Sequence, residues 1–231
     1  MFEWGIDMNK NDWLTAFLLF VIAFLSLALI DTRLNLGNNV KEIELQEITV
    51  EKQKIIFAGD SITDRYNLDK FFNYDDKLII NSGIGGYTTV SMLNRFHNLI
   101  EQHQADKMFL MIGTNDIGKG FKEEDTINNI IKIIEQTQQT SPNTKIYVES
   151  IYPVNPSKRP NDKRRNNETI KRLNKQIEEY CKNNNLTYIN VYDILVDSEG
   201  NLNPSYTEDG LHLNDYAYSY VTRLLKPYVE E

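Results

Sequence analysis

Four short segments of this sequence carry residues able to do acyl-transfer chemistry. Gly59-Asp60-Ser61 offers a hydroxyl, and Asp209-Gly210-Leu211-His212 offers an imidazole with a carboxylate three residues earlier. Asn81-Ser82-Gly83-Ile84-Gly85-Gly86 offers backbone amides without obstructing side chains, and Gly113-Thr114-Asn115-Asp116 offers a side-chain amide. A serine attacks a carbonyl only when a base lies within hydrogen-bond reach, and the base needs an orienting partner. On a tight turn, positions i and i+3 face the same way. Asp209 can then hold one nitrogen of His212 while the other faces Ser61. The developing oxyanion needs aimed donors. Gly86 N–H, the Asn115 side chain and Ser61 N–H are the candidates. Each residue also has a plain reading. Asp209 suits the N-cap of a final helix, the glycines suit a turn, and Asn115 suits a turn or cap. His97 and His103 read as solvated helix positions.

Such residues must be brought together by the elements that precede them. Lys54–Ala58, Leu78–Ile80, Met108–Ile112, Ile146–Val148 and Tyr188–Val191 are short apolar runs without clean alternation. They read as strands buried on both faces. Val90, Leu93, Phe96 and Ile100 share a helical face, as do Ile127, Ile130, Ile131 and Ile134, and also Ile170, Leu173, Ile177 and Tyr180. Tyr216 to Leu225 reads as a last helix ending before Pro227. Alternating strands and helices predict an α/β fold, a three-layer α/β/α sandwich around a five-stranded parallel sheet. In such sheets ligands sit beyond the carboxyl ends of the strands. Three of the four segments follow a strand, and the fourth precedes the last helix.

The rest of the chain bounds the setting. Its 231 residues are 41% hydrophobic and 25% charged, with a formal charge of −8, which argues against a basic nucleic-acid-binding domain. A single cysteine, Cys181, excludes an internal disulfide and a multi-cysteine zinc site, and reads as a buried small hydrophobe. Residues 13–30 (WLTAFLLFVIAFLSLALI) are uncharged. As a helix they span about 27 Å, close to the hydrocarbon core of a bilayer. A cleaved signal peptide is the alternative, but Glu3, Asp7 and Asp12 make a poor positive leader. The expected organisation is a flank at 1–12, a transmembrane helix at 13–30, a charged tether at 31–53 and a catalytic domain at 54–231. The flanking charges do not decide the orientation.

Ile56–Thr63 (IFAGDSIT), Asn81–Thr88 (NSGIGGYT), Gly113–Asp116 (GTND) and Asp209–His212 (DGLH) resemble, in order, the four signature blocks of the SGNH hydrolases, also called the GDSL esterase/lipase family. The second block is most similar to the branch of platelet-activating-factor acetylhydrolase-like and small bacterial esterases. The resemblance implies a flavodoxin-like sheet, Ser61 as nucleophile, His212 as general base and Asp209 as its orienting carboxylate. It also implies an oxyanion hole of Ser61 N–H, Gly86 N–H and Asn115, and chemistry that requires no metal or organic cofactor. Gly-Asp-Ser-Ile replaces Gly-Asp-Ser-Leu, and Tyr87 stands where close relatives carry Asp. Asp60 and Asp116 are expected to bond nearby backbone.

The substrate is less legible. The segment from Lys158 to Arg172 holds seven basic residues and reads either as a contact for an anionic polymer or lipid head group, or as a solvated loop and helix face. Tyr152, Pro153 and Val154 are candidates for lining an acyl or alcohol pocket. No long apolar insertion separates the blocks, which favours a short acyl group. The expectation is a membrane-anchored esterase with its catalytic domain outside the cytoplasm, acting on O-acetyl esters of envelope glycans. A lipid esterase, an O-acyltransferase and a catalytically idle binding module are the alternatives. The partners are a small-molecule, glycan or lipid ester and the membrane, not nucleic acid.

Overall fold

A computed structural model describes residues 10–47, 51–95 and 104–231. His97, His103, Phe96 and Ile100 lie outside the described residues. The chain divides into two compact units, Met1–Glu51 and Lys52–Glu231.

The first unit is a helix, α1 (Lys10–Glu47). Its apolar stretch Trp13–Gly37 is long and apolar enough to cross a membrane, and its large hydrophobic side chains are exposed. The helix does not stop at Ile30 but runs through most of the segment expected to be a tether. Extending a formed helix adds one hydrogen bond per residue, and no proline interrupts the charged stretch.

The second unit is an α/β/α sandwich. Its strands are β1 (Gln53–Gly59), β2 (Lys77–Gly83), β3 (Lys107–Met111), β4 (Lys145–Glu149) and β5 (Thr187–Ile189). All pairs are parallel, in the order β2-β1-β3-β4-β5. This is the flavodoxin-like order, whose crossover reversal lies between β1 and β3. Strands β1, β3 and β4 are buried almost throughout, while β2 at the sheet edge is half-buried and leaves Leu78 exposed. Phe57, Phe109 and Tyr147 are register partners on β1, β3 and β4. Their rings stack at 4.6 and 4.7 Å, an aromatic ladder that penalises slippage of the central strands.

Register is what positions the site. Gly59 pairs with Gly83 on one side and Met111 on the other, so three strands end level. The loops carrying Ser61, Gly86 and Asn115 therefore start from one rim. A Cβ on Gly59 would sit 2.0 Å from Thr63 Oγ1 and 2.6 Å from the Met111 carbonyl oxygen. Only glycine lets the next turn fold back across the strand end.

The helices are α2 (Ser61–Asp64), α3 (Leu68–Phe71), α4 (described over 89–95), α5 (Thr114–Lys119), α6 (Glu123–Thr140), α7 (Asn167–Asn183), α8 (Tyr192–Leu195) and α9 (Asp215–Glu230). Helices α6 and α7 bury the isoleucine and leucine stripes read from the sequence, with Cys181 in the core. Helix α9 does not end before Pro227 but carries it within its last turn, where the ring forgoes the hydrogen bond to the residue four earlier. Its N-cap is Asn214, whose side chain accepts from Ala217 N–H at 3.0 Å, so Asp209 does not cap it. Tyr218 of α9 stacks on Tyr66 at 4.5 Å and donates to the Ile62 carbonyl at 2.6 Å, gripping the segment that carries Ser61.

Candidate active site

Ser61 opens α2, immediately after β1. Asp60 caps that helix, its Oδ1 accepting from Ile62 N–H at 2.9 Å. The first N–H groups of a helix have no acceptor within it, so Ser61 N–H is left for another partner. Asn81 braces the same turn from β2, donating to the carbonyls of Thr63 and Tyr66 at 2.8 and 3.0 Å. Asp60 is completely buried and its Oδ2 has no hydrogen-bond partner among the described residues. Burial pushes its carboxyl up to about 7, against the opposing hydrogen bond from Ile62.

The imidazole arrives from 151 residues away. Ser61 Oγ lies 2.8 Å from His212 Nε2, and His212 Nδ1 lies 2.6 Å from Asp209 Oδ2. The carboxylate fixes the tautomer: Nδ1–H donates to Asp209, and Nε2 accepts from the Ser61 hydroxyl. The other oxygen, Asp209 Oδ1, accepts from Leu211 N–H at 3.0 Å and His212 N–H at 2.8 Å. Burial alone would raise the Asp209 carboxyl. The hydrogen bonds from the ring and backbone of His212 and from Leu211 N–H outweigh it and hold the group well below the usual carboxylate range. An ionised partner is what an imidazole needs if it is to carry a transient proton.

The remaining two segments meet the same rim. Gly86 has φ +78° and Tyr87 N–H bonds the Ile84 carbonyl at 3.2 Å, as in the third position of a type II turn. Asn115 is 6% exposed and stands in the first turn of α5. One Nδ2 hydrogen donates to the Tyr87 carbonyl at 2.9 Å, next to Gly86. Asn115 Oδ1 accepts from Arg165 Nη2 at 2.7 Å. The neighbouring Asp116 is buried and accepts from Thr89 N–H at 3.0 Å and Thr89 Oγ1 at 2.5 Å, tying α5 to the start of α4.

Lys163, Arg164, Lys171 and Arg172 of the basic segment are exposed, as a solvated loop and helix face would be, but Lys158, Arg159 and Arg165 are tied into the fold. Lys158 Nζ donates to the carbonyls of Pro204 and Thr207 at 2.7 and 2.6 Å. Arg159 donates to the Asp209 carbonyl at 3.3 Å, and Asn155 N–H to the Gly210 carbonyl at 2.8 Å. Arg165 Nε donates to the Thr114 carbonyl at 2.9 Å. The loop is a strap across both halves of the site, a role the run of positive charge did not reveal because intrachain carbonyl partners have no sequence signature. Tyr152, Pro153 and Val154 are packed inside the domain. Tyr152 donates to the buried Glu149 at 2.6 Å. The cleft beside His212 has a volume of about 280 Å³ and is walled by Arg65, Glu208, Asp209, His212, Leu213 and Asn214.

Residues 57–220 match the GDSL-like Lipase/Acylhydrolase family, well over half of the chain. The chain belongs to this family. It has the SGNH-type fold. It is similar to a Streptococcus pneumonia protein whose structure was reported as a platelet activating factor: 34% identical, covering 89% of this chain and 98% of that one, TM-score 0.70. It is 29% identical over 198 residues to the N-acylneuraminate cytidylyltransferase of Escherichia coli O18:K1:H7, covering 82% of this chain but 43% of that enzyme. The chain thus spans less than half the length of that relative. It is also 27% identical over 122 residues to an arylesterase of Vibrio mimicus, covering 48% of this chain and 60% of that enzyme.

Proposed function

We propose that this acylhydrolase is a serine esterase for short acyl groups, chiefly O-acetyl esters carried on envelope glycans. Ser61 Oγ attacks the ester carbonyl while His212 Nε2 takes its proton. Ser61 N–H, Gly86 N–H and Asn115 Nδ2–H receive the oxyanion. The alcohol leaves with the proton from His212, and water activated by the same imidazole releases the acid from Ser61. Asp209 stays ionised and stabilises the imidazolium that forms in each step. The observation that carries this reading is the 2.8 Å contact of Ser61 Oγ with His212 Nε2, continued at 2.6 Å to Asp209.

Two observations favour a short acyl group on a polar alcohol. The cleft walls beside His212 are mostly charged or amide side chains. The cytidylyltransferases that share this sequence over 40–43% of their length are named for an acylated sugar. We read α1 as a single-pass anchor that presents the domain beginning near residue 54 at the outer face of the membrane. The same helix favours a second reading, a lipid ester drawn from the bilayer.

The test is a p-nitrophenyl ester series on the full chain in detergent, with Ser61→Ala as control. The expected result is steep loss beyond butyryl and no turnover by the variant. Equal rates from acetyl to decanoyl support the lipid reading, and equal rates for wild type and Ser61→Ala overturn the mechanism. Release of the alcohol without acid, with acyl appearing on an added glycan, identifies a transferase. Protease accessibility of the domain on intact cells tests the outward orientation.

A further inference from the structure

Arg165 occupies a place that neither catalysis nor surface solvation explains. Its side chain is 13% exposed and each guanidinium nitrogen has a separate partner. Nε donates to the Thr114 carbonyl at 2.9 Å, Nη1 to Asp162 Oδ2, and Nη2 to Asn115 Oδ1 at 2.7 Å. The plane lies against Gly118 of α5, where a Cβ would come within 2.3 Å of the guanidinium carbon and 2.5 Å of both terminal nitrogens. The space at Gly118 is therefore the space that Arg165 fills.

From this arrangement we infer that Arg165 is a positioning residue for the oxyanion hole, setting the side-chain amide of Asn115 through its oxygen. The inference rests on Asn115 serving as an oxyanion donor, as proposed above. An amide has two faces of opposite chemistry, and its 180° flip would turn an acceptor oxygen towards a developing negative charge. Two contacts select the productive flip: the Tyr87 carbonyl takes one Nδ2 hydrogen, and the guanidinium claims Oδ1. The second Nδ2 hydrogen is left for the substrate. A cation on the amide oxygen also draws electron density from the nitrogen, which strengthens that remaining donor. Asp162, bonded to both Arg159 and Arg165, holds the guanidinium in place from the far side. The guanidinium fork suits this task because its donors are fixed in one plane. A lysine supplies one mobile charge and cannot serve Thr114, Asn115 and Asp162 together.

The test uses the full chain in detergent with neutral p-nitrophenyl acetate. Arg165→Met is expected to lower kcat about 10- to 100-fold, the usual penalty for a catalytic group displaced by a fraction of an ångström, with KM held within about twofold. Arg165→Lys should recover only part of that loss. Lys163→Met removes a positive charge from the exposed part of the same loop and should leave kcat within about twofold, because exposed charges contribute little. Gly118→Ala should reproduce the loss by displacing the guanidinium, and should add little once Arg165 is already Met. The deciding measurement is the cycle with Asn115→Ala, in which Arg165→Met should cost less than about twofold, since residues acting through one group are not additive. A full additional loss in that background, or a KM effect without a kcat effect, overturns the inference. If Asn115→Ala itself leaves kcat unchanged, the oxyanion assignment of Asn115 fails instead.

Discussion

The two halves of the site are built by different means. The half with the proposed nucleophile grows out of the sheet: Ser61, Gly86 and Asn115 follow β1, β2 and β3, whose ends are level by register. The half with the proposed base, His212, hangs in a loop. The turn from Thr207 to Leu213 contains no helix or strand beyond one isolated bridge, and side chains of the 155–165 strap hold it. The carboxylates differ in the same way. Asp60 is sealed under the strand end with its carboxyl pushed up to about 7, whereas Asp209 is 42% exposed and held ionised by donors. The lesson is that rigidity in this site has two sources, main-chain pairing on one side and side-chain bonds to carbonyls on the other.

The largest effect should erase the comparison altogether. Ser61→Ala and His212→Ala are each expected to lower kcat on p-nitrophenyl acetate about a million-fold, and the double variant should be no worse, because the pair acts as a unit. A residual rate within a hundredfold of wild type would remove the pair from the mechanism. Asp209→Asn comes next, at about ten-thousandfold in kcat, because Asn presents an N–H where an acceptor is needed and selects the wrong tautomer. Steady-state kinetics at pH 8 read it, and a loss under tenfold would show that Asp209 does not orient His212.

The third contrast separates the two kinds of support. Gly59→Ala should cost about 3 kcal/mol of stability, since its Cβ meets the Met111 main chain and overpacked cores cannot yield. Lys158→Met, by contrast, should leave the urea midpoint near wild type while lowering kcat about tenfold by loosening the Asp209–His212 turn. Equal loss of stability in both would mean that the strap belongs to the folding core.

The smallest effect is on pH dependence. Asp60 and Glu149 are buried, and burial pushes each carboxyl up to about 7. Between the unfolded carboxylate range near 4 and the folded value, the native state holds protons that the unfolded chain has released. Stability should therefore fall as pH rises from about 4 to about 7 and then level. Asp209 acts in the opposite sense, its contribution present above the unfolded carboxylate range and lost as pH falls below it. Urea midpoints at pH 5 and pH 8 should differ less in Glu149→Gln than in wild type, and an unchanged difference would remove Glu149 from the account.

Much of this was legible in the chain itself. The strand runs and helix stripes are governed by which side chains avoid water, and that preference is written residue by residue in Ile55, Phe109 or Ile134. Candidate site residues were readable because Gly-Asp-Ser and Asn-Asp follow strands and Asp-Gly-Leu-His precedes the last helix. The strap was not. Lys158 and Arg165 look like any surface cations until their carbonyl and amide partners, 46 and 50 residues away, are known. Tyr152 is buried as well, donating to Glu149 at the end of β4, and nothing in its own neighbourhood in the chain marked it as a core residue.

Local chemistry and periodicity by themselves determined the parts: an apolar helix, five strands, and a hydroxyl, an imidazole, a carboxylate and amide donors in separate segments. Only the tertiary structure decided the 2.8 Å contact of Ser61 with His212 and the flip of Asn115. Those depend on long-range geometry, where one row of register or one guanidinium changes the outcome, and no local preference encodes distances between residues far apart in the chain.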